Sequence, residues 1–174
     1  MKAPPPSNEA LRLEALRQYR ILDTPREDVF DDLSLLAAEL CRAPFACVSF
    51  IDEKRQWFKS TVGFTITETS RDIAFCAHAI LQPDLLVVPD VLADARFAGH
   101  PMVTAEPKLR FYAGVPLVTP TGHALGTLCV LARGAAQALA ARPTGERGVR
   151  ARTCESHARE ASRGASLRCL DELG

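Results

Sequence analysis

The sequence predicts an α+β domain that contains an antiparallel sheet. Before Ala43 apolar residues recur at helical spacing, and from Phe45 the spacing changes to two, which indicates strands. Turn-forming stretches at 52–55 and 119–122 separate two pairs of short apolar runs. Such pairs are typical of hairpins, whose strands are antiparallel. Two helices followed by about five short strands with helical insertions indicate the α+β class.

The two helices are predicted from their capping residues and apolar stripes. Asn8 is placed to cap the first helix, which runs to about Arg20. The second is expected to begin at a capping box, with Thr24 at the N-cap, Pro25 at the first helical position and Glu27 completing the box. Its apolar face is expected to contain Phe30, Leu33, Leu36, Ala37 and Leu40.

The remaining elements follow from runs of apolar and β-branched residues between turns. The first hairpin pairs a strand at 45–51 with one at 56–61. A short apolar helix is expected at 73–81, a third strand at 85–88, and a polar loop with a turn or two of helix at 94–102. The second hairpin pairs 110–118 with 124–131. The domain therefore alternates strands with short helical insertions after its two opening helices.

Composition excludes several classes of protein. The 174 residues are 47% apolar and 24% charged, as in an ordinary soluble globular protein, and 21 basic residues balance 21 acidic ones. A net charge of zero argues against nucleic-acid and anionic-membrane partners. There is no apolar run long enough to span a membrane, and no signal peptide. Six cysteines without a C-x-x-C pair indicate reduced thiols and a cytoplasmic location.

Changes in composition along the chain divide it into three parts. Residues 1–7, rich in proline, are predicted to be a disordered leader, and 8–142 to form the folded domain. In 143–174 basic residues outnumber acidic ones and large apolar residues are rare. A segment of this kind buries too little apolar surface to offset the entropy of ordering, so this basic tail is predicted to be disordered.

Cys76 and His78 are the first candidates for chemistry. A zinc site needs at least three protein ligands, and this C-x-H pair supplies two that diverge on a helix. Cys76 is therefore expected to pack in the core and His78 to make a local hydrogen bond. No metal or other cofactor is predicted. Cys47 and Cys129 fall at strand centres, where thiols are inert, so Cys76, near Arg71, is the one credible reactive thiol.

Two sets of polar residues are further candidates for a functional site. Asp90 and Asp94 would suit a cation or acid–base chemistry, but carboxylates in such loops more often cap turns and pair with a nearby arginine. Arg71, Arg110 and Tyr112 would suit a small anionic or aromatic ligand if they enter one concave face. Core packing with one ion pair explains this second group nearly as well. Phosphate-binding glycine loops are absent from the sequence.

Several segments, taken together and in order, resemble the GAF sensory domains of bacterial signalling proteins. The segment E-T-S-R-D-I-A-F-C-A-H-A-I at 68–80 is similar to the family signature E-T-x-R-x-x-x-F-C-x-H-A-I. The other matching segments are L-D-T-P at 22–25, F-D-D-L at 30–33, V-S-F-I-D-E-K-R-Q-W-F-K-S at 48–60, V-V-P-D at 87–90, D-A-R-F-A at 94–98, R-F-Y-A-G-V-P-L at 110–117 and L-G-T-L-C-V at 125–130. The resemblance covers about residues 9–131.

The resemblance implies an antiparallel sheet of about six strands, flanking helices and a small-molecule pocket on one face. It also implies a non-catalytic module that binds an unidentified small molecule, forms a homodimer, and controls a histidine kinase or a diguanylate cyclase. The ligand-binding positions that it implies are Arg71, Phe75, Cys76, His78, Asp90, Asp94, Arg110 and Tyr112.

Two other functions remain open. The GAF-fold reductase of free methionine sulfoxide would need an exposed thiol of low pKa and a resolving partner, and only Cys76 is placed for that role. A bilin photoreceptor would attach its pigment through a cysteine, but here C-A-H replaces an adjacent Cys-His pair.

Overall fold

A computed structural model describes residues 2–134 and contains one six-stranded antiparallel sheet, whose strands lie side by side in the order 68–70, 55–62, 45–51, 124–132, 111–118 and 86–88. The predicted α+β class is confirmed. The helices are α1 (Glu9–Tyr19), α2 (Asp28–Cys41), α3 (Phe75–Ala79) and α4 (Pro101–Thr104), with a 3₁₀ turn at Arg71–Ile73. The strands are β1 (Phe45–Ile51), β2 (Arg55–Val62), β3 (Glu68–Ser70), β4 (Leu86–Val88), β5 (Phe111–Val118) and β6 (Ala124–Ala132).

The centre of the sheet is the pairing of β1 with β6. Every residue of β1 is buried, because both faces of the sheet are covered. Gly126 allows the two strands to approach closely, since a Cβ there would lie 2.0 Å from the backbone oxygen of Ser49. Side chains of β1 alternate between the two faces. Val48 therefore packs in the core under α1 and α2, whereas Cys47 packs in the core on the opposite side.

The helical layer differs from the prediction at the start of α2. Glu27, not Thr24, is the N-cap residue, and its side chain makes no capping hydrogen bond. The predicted capping box is wrong because these side chains bond elsewhere. The Thr24 hydroxyl donates to the Ile21 carbonyl at 2.7 Å and accepts from the Lys59 ammonium at 2.7 Å.

Lys59 of β2 carries a fully buried side chain that faces the helical layer. Its ammonium also donates to the Pro25 carbonyl at 2.6 Å and to the Glu27 carboxylate. The Phe30 ring lies 5.3 Å from the nitrogen, close enough for a cation–π interaction. Because a buried cation needs such partners, it determines where the chain between α1 and α2 lies.

The apolar face of α2 is only partly the predicted one. Phe30 and Ala37 are buried, but Leu36 and Leu40 remain 45% and 43% exposed. Ser34 points into the core instead, where its hydroxyl bonds with that of Ser60. The helix is therefore rotated relative to the stripe that periodicity predicts.

The strand predictions agree with the structure to within one residue at each end. The exception is β3, an edge strand that periodicity misses because its three residues, Glu68–Ser70, are all polar. The helix predicted at 73–81 is shorter, at Phe75–Ala79, and a 3₁₀ turn precedes it.

The segment predicted as a disordered leader lies against the domain in the structure. Residues 2–7 contain no helix or strand, yet Ala3 is buried and the Lys2 ammonium pairs with Asp72 at 3.1 Å. The basic tail at 143–174, and residues 135–142 of the predicted domain, lie outside the described residues. In the part that is described, every helix is too short or too polar to span a membrane.

Replacing Lys59 with methionine tests the role of its buried charge. Lys59→Met should lower the free energy of unfolding by about 2–4 kcal/mol, because the Pro25 carbonyl loses a buried partner and Glu27 its ion pair. Urea unfolding measures the change, and Lys54→Met, at an exposed position in the β1–β2 turn, is the control. Equal stabilities of the two variants would show that Lys59 does not hold the helical layer.

Candidate functional site

A cavity of about 260 Å³ lies on the side of the sheet opposite α1 and α2. Its floor is formed by β1, β5 and β6, and one wall by α3. Its mouth is formed by the loop at 63–67 and by the segment 100–107, which contains α4. Ile66, Pro101 and Glu106 line the cavity and are exposed, so the cavity opens to solvent between these loops. A chamber of this size with an exposed mouth can admit a small molecule.

Aromatic rings form one wall of the cavity. Phe75 of α3 stacks on Tyr112 of β5, with ring centroids 5.3 Å apart and planes 16° apart. His100 lies 4.3 Å from Phe75, and burial lowers the pKa of His100, although its hydrogen bond with the Ile73 backbone acts in the opposite direction. The His100 Nδ1 accepts from the Met102 backbone at 3.0 Å. The imidazole is therefore neutral near pH 7 and serves to position the loop.

Three thiols meet at the floor of the cavity. Cys47 of β1 and Cys129 of β6 are directly opposite each other in the sheet, and their sulfurs lie 3.2 Å apart. The sulfur of Cys76, on α3, is 3.7 Å from that of Cys129. All three are free thiols, and each is at most 2% exposed. We call this group the thiol floor.

The surroundings of the thiol floor keep its sulfurs protonated. Burial raises the pKa of Cys76 well above its usual value. The pKa of Cys129 is also raised, first by its hydrogen bond with Cys47 and then by burial. For Cys47 the bond with Cys129 acts in the opposite direction, but burial and the nearby Cys76 raise its pKa overall. These thiols are therefore poor nucleophiles near neutral pH.

Few polar side chains reach the cavity. Gln56 donates to the Cys76 sulfur at 3.2 Å and to the Ser49 hydroxyl at 3.0 Å. The Tyr112 hydroxyl donates to the same sulfur at 3.5 Å. Thr69 and Glu106 are nearer the mouth. A mostly apolar chamber with a few convergent polar groups suits an apolar or aromatic ligand.

The cavity includes three of the eight positions that the sequence singled out, namely Phe75, Cys76 and Tyr112. The other five do not line it. His78 is buried and packs edge-on against Phe97, with centroids 4.9 Å apart. The Arg110 guanidinium donates to the carbonyls of Val103 and Leu109.

The two aspartates among these five positions shape a surface loop. The Asp90 carboxylate accepts from the Leu92 backbone at 2.9 Å. Asp94 accepts from the Arg96 backbone and forms an ion pair with its guanidinium at 2.6 Å. That hydrogen-bonded guanidinium lowers the pKa of Asp94. These are the capping and pairing roles expected for loop carboxylates.

Arg71 lies behind the cavity and connects it to α1. Its guanidinium pairs with Glu9 at 2.5 Å and donates to the Asp52 carbonyl at 3.1 Å. Arg12, buried in α1, pairs with the same carboxylate at 2.8 Å. Burial alone would raise the pKa of Glu9, but its bonds to the two guanidinium groups lower it to about 2. Ile73, two residues after Arg71, lines the cavity.

Sequence reasoning missed most of the cavity lining. The sequence predicts that Cys47 and Cys129 are inert thiols at strand centres, and both are buried, but nothing in the sequence shows that they meet. Gly114 matters because a Cβ there would lie 2.1 Å from the Tyr112 hydroxyl oxygen. Its position in R-F-Y-A-G-V-P-L, two residues after Tyr112 on the same strand face, is the signal that identifies it. The mouth residues lie in loops without periodicity.

Metal binding has no geometric support in the described part of the chain. Among residues 2–134, no group of three or more His, Cys, Asp or Glu side chains is arranged to hold a metal ion.

The six-stranded antiparallel sheet thus has α1 and α2 on one face and a ligand-sized cavity on the other. The chain belongs to the GAF domain family, whose family model matches residues 25–142. The GAF domain of a phosphoenolpyruvate-protein phosphotransferase from Coxiella burnetii has a similar structure, with a TM-score of 0.55 at 15% identity, covering 97% of this chain and all of that one.

This chain is also similar to two proteins that are named as enzymes, one in sequence and one in structure. The cyclic di-GMP phosphodiesterase PA2567 of Pseudomonas aeruginosa is 40% identical over 134 residues, which are 76% of this chain. This chain spans only 23% of the length of that relative. The structure of a type II free methionine-R-sulfoxide reductase from Thermoplasma acidophilum has a TM-score of 0.51 at 14% identity, covering 79% of this chain and 92% of that one.

The low pKa of Glu9 predicts a pH dependence of stability. A carboxylate whose folded pKa is depressed stabilises the fold above its unfolded pKa, near 4.5, and loses that contribution as the pH falls towards 2. The free energy of unfolding of the wild type should therefore exceed that of Glu9→Gln by up to about 3 kcal/mol at pH 6. This difference should shrink as the pH falls from 4.5 to 2. Urea unfolding at several pH values measures both proteins, and a difference that does not change with pH would contradict the prediction.

Proposed function

We propose that this chain is a regulatory module that binds a small, largely apolar or aromatic molecule in the cavity and is itself non-catalytic. The observation that carries the proposal is the cavity itself, with an open mouth, an aromatic wall and few polar groups. Membership of the GAF family supports it, because these domains are generally regulatory. Phe75, Cys76 and Tyr112 would contact the ligand directly.

The other five positions would support the site from outside. Arg71 would transmit ligand occupancy of the cavity to α1, because its own turn contains Ile73, which lines the cavity, and its guanidinium pairs with Glu9 of α1. A ligand that displaces Ile73 would thereby disturb the ion pair on which α1 depends. His78, Asp90, Asp94 and Arg110 would maintain the walls and loops around the cavity.

The output would be exerted through other domains or partners, in the cytoplasm and in a homodimer. A histidine kinase and a diguanylate cyclase are the outputs that the GAF resemblance suggests. The similarity to a cyclic di-GMP phosphodiesterase adds enzymes that degrade cyclic di-GMP to this set. Leu11, Leu36 and Leu40 leave apolar surface on α1 and α2, which is consistent with a second copy packing there.

Native mass spectrometry of the purified chain, with a denatured control, tests the proposal. We expect a small molecule that remains bound under native conditions and is released on denaturation. Thr69→Trp, which fills the cavity, should abolish its retention, whereas Leu92→Trp, at an exposed position outside the cavity, should not. An empty wild-type protein whose melting temperature also fails to rise with a panel of small aromatic compounds would contradict the proposal.

The reductase of free methionine sulfoxide remains a second candidate, favoured by the structural similarity and by the thiols at the cavity. Because Cys76 is buried and its pKa is raised, we expect no turnover of free methionine-R-sulfoxide with a dithiol reductant. Cys76→Ser should likewise leave the fold unchanged. Turnover by wild type that is lost in Cys76→Ser would instead establish the enzyme.

A further inference from the structure

We propose that the thiol floor binds neutral trivalent arsenicals, such as arsenous acid or an organoarsenical, through covalent bonds to its sulfurs. The inference rests on the proposed function, because it takes the cavity as the ligand site and specifies a chemical class of ligand. It begins from the convergence of Cys47, Cys76 and Cys129, which come from three separate elements, on one cavity.

The spacing of the sulfurs suits a single bridging atom. Cys47 and Cys129 are held opposite each other by the pairing of β1 with β6, and their sulfurs are 3.2 Å apart. Two thiols already in contact can bond one central atom without moving the strands. Cys76, 3.7 Å from Cys129, is placed to supply a third bond.

The electrostatics favour a neutral ligand over a metal cation. A cation would require thiolates, and burial disfavours these charged forms. Bonding to a trivalent arsenical, in contrast, starts from neutral thiols and ends in a neutral product. For each bond formed, one S–H and one As–O bond break, one As–S bond forms, and the proton leaves with the hydroxide as water. Arsenic remains trivalent, sulfur is not oxidised, and no charge is buried.

The chamber above the floor provides room for an aryl substituent. Phe58, Phe64 and Phe75 line the cavity, whose volume is about 260 Å³. An aromatic ring bonded through arsenic to the floor would contact these side chains. Entry would be by way of the exposed mouth at Ile66 and Glu106.

Phenylarsine oxide, which reacts with paired thiols as its dihydroxy form, is the probe. Besides the thiol floor and Cys41, the full chain carries Cys154 and Cys169, so the test uses a Cys154→Ser/Cys169→Ser background. Native mass spectrometry of the reduced protein should show one phenylarsenic group bound, with two water molecules lost. A dithiol competitor should remove this group, whereas a monothiol at the same concentration should not.

Variants locate the site. Cys129→Ala removes both close sulfur pairs and should weaken binding by at least about 100-fold, because the second bond loses its high effective concentration. The double variant Cys47→Ala/Cys76→Ala leaves Cys129 alone and should weaken binding to a similar degree. Cys41→Ala is the matched control, since that buried thiol lies on the opposite face of the sheet, and binding should be unchanged. Circular dichroism checks folding, and Cys129→Val, which fills more of the space, replaces Cys129→Ala if the latter unfolds.

Absence of the adduct in the folded background protein overturns the inference, as does an adduct that survives loss of Cys129, or loss of Cys47 and Cys76 together. If the arsenical fails to bind but a retained small molecule is found, the inference is wrong and the proposed function stands. If the arsenical binds as expected while no retained or added aromatic compound does, the thiol site stands and the proposed function loses its support.

Discussion

The buried ammonium of Lys59 is the interaction on which the arrangement of the helical layer depends. Its side chain leaves the sheet towards α2 and has no access to solvent. Three oxygen atoms from residues 24–27, together with the ring of Phe30, take the place of the water molecules that would solvate an exposed ammonium. A buried charge is tolerated only with such partners, so the chain between α1 and α2 must return to this point on the sheet. With α1 and α2 confined to this face, the opposite face is left for the cavity.

Strand alternation then places different chemistry on the two sides of one sheet. In β1, Val48 and Phe50 pack beneath the helices, while Cys47 and Ile51 face the other core. The floor of the cavity is therefore built on the central strands, where pairing of β1 with β6 holds its side chains firmly. Arg71 joins the two sides, since it lies beside the cavity wall and pairs with Glu9 of α1. The cavity wall and the helical layer are thus connected through a single ion pair, between Arg71 and Glu9.

The fold was more predictable than the site. Strand bounds were predictable because β1, β5 and β6 are nearly continuous buried runs, as in Phe45–Ile51. The capping box failed because Thr24 satisfies a lysine 35 residues away along the chain. The Leu36 and Leu40 stripe failed similarly, since Ser34 found a buried hydroxyl partner on β2. In both cases a long-range hydrogen bond outweighed a local preference.

For the cavity, the reactive and aromatic residues are identifiable from the order of amino acids alone, and the signature at 68–80 singles out Phe75 and Cys76. The sequence also predicts that Cys47 and Cys129 occupy buried strand centres. The 3.2 Å distance between their sulfurs, and the absence of His78 and Arg110 from the cavity lining, become visible only in the folded domain. The physical reason is that periodicity encodes the face of an element, whereas partners across a sheet depend on which strands pair and in which register.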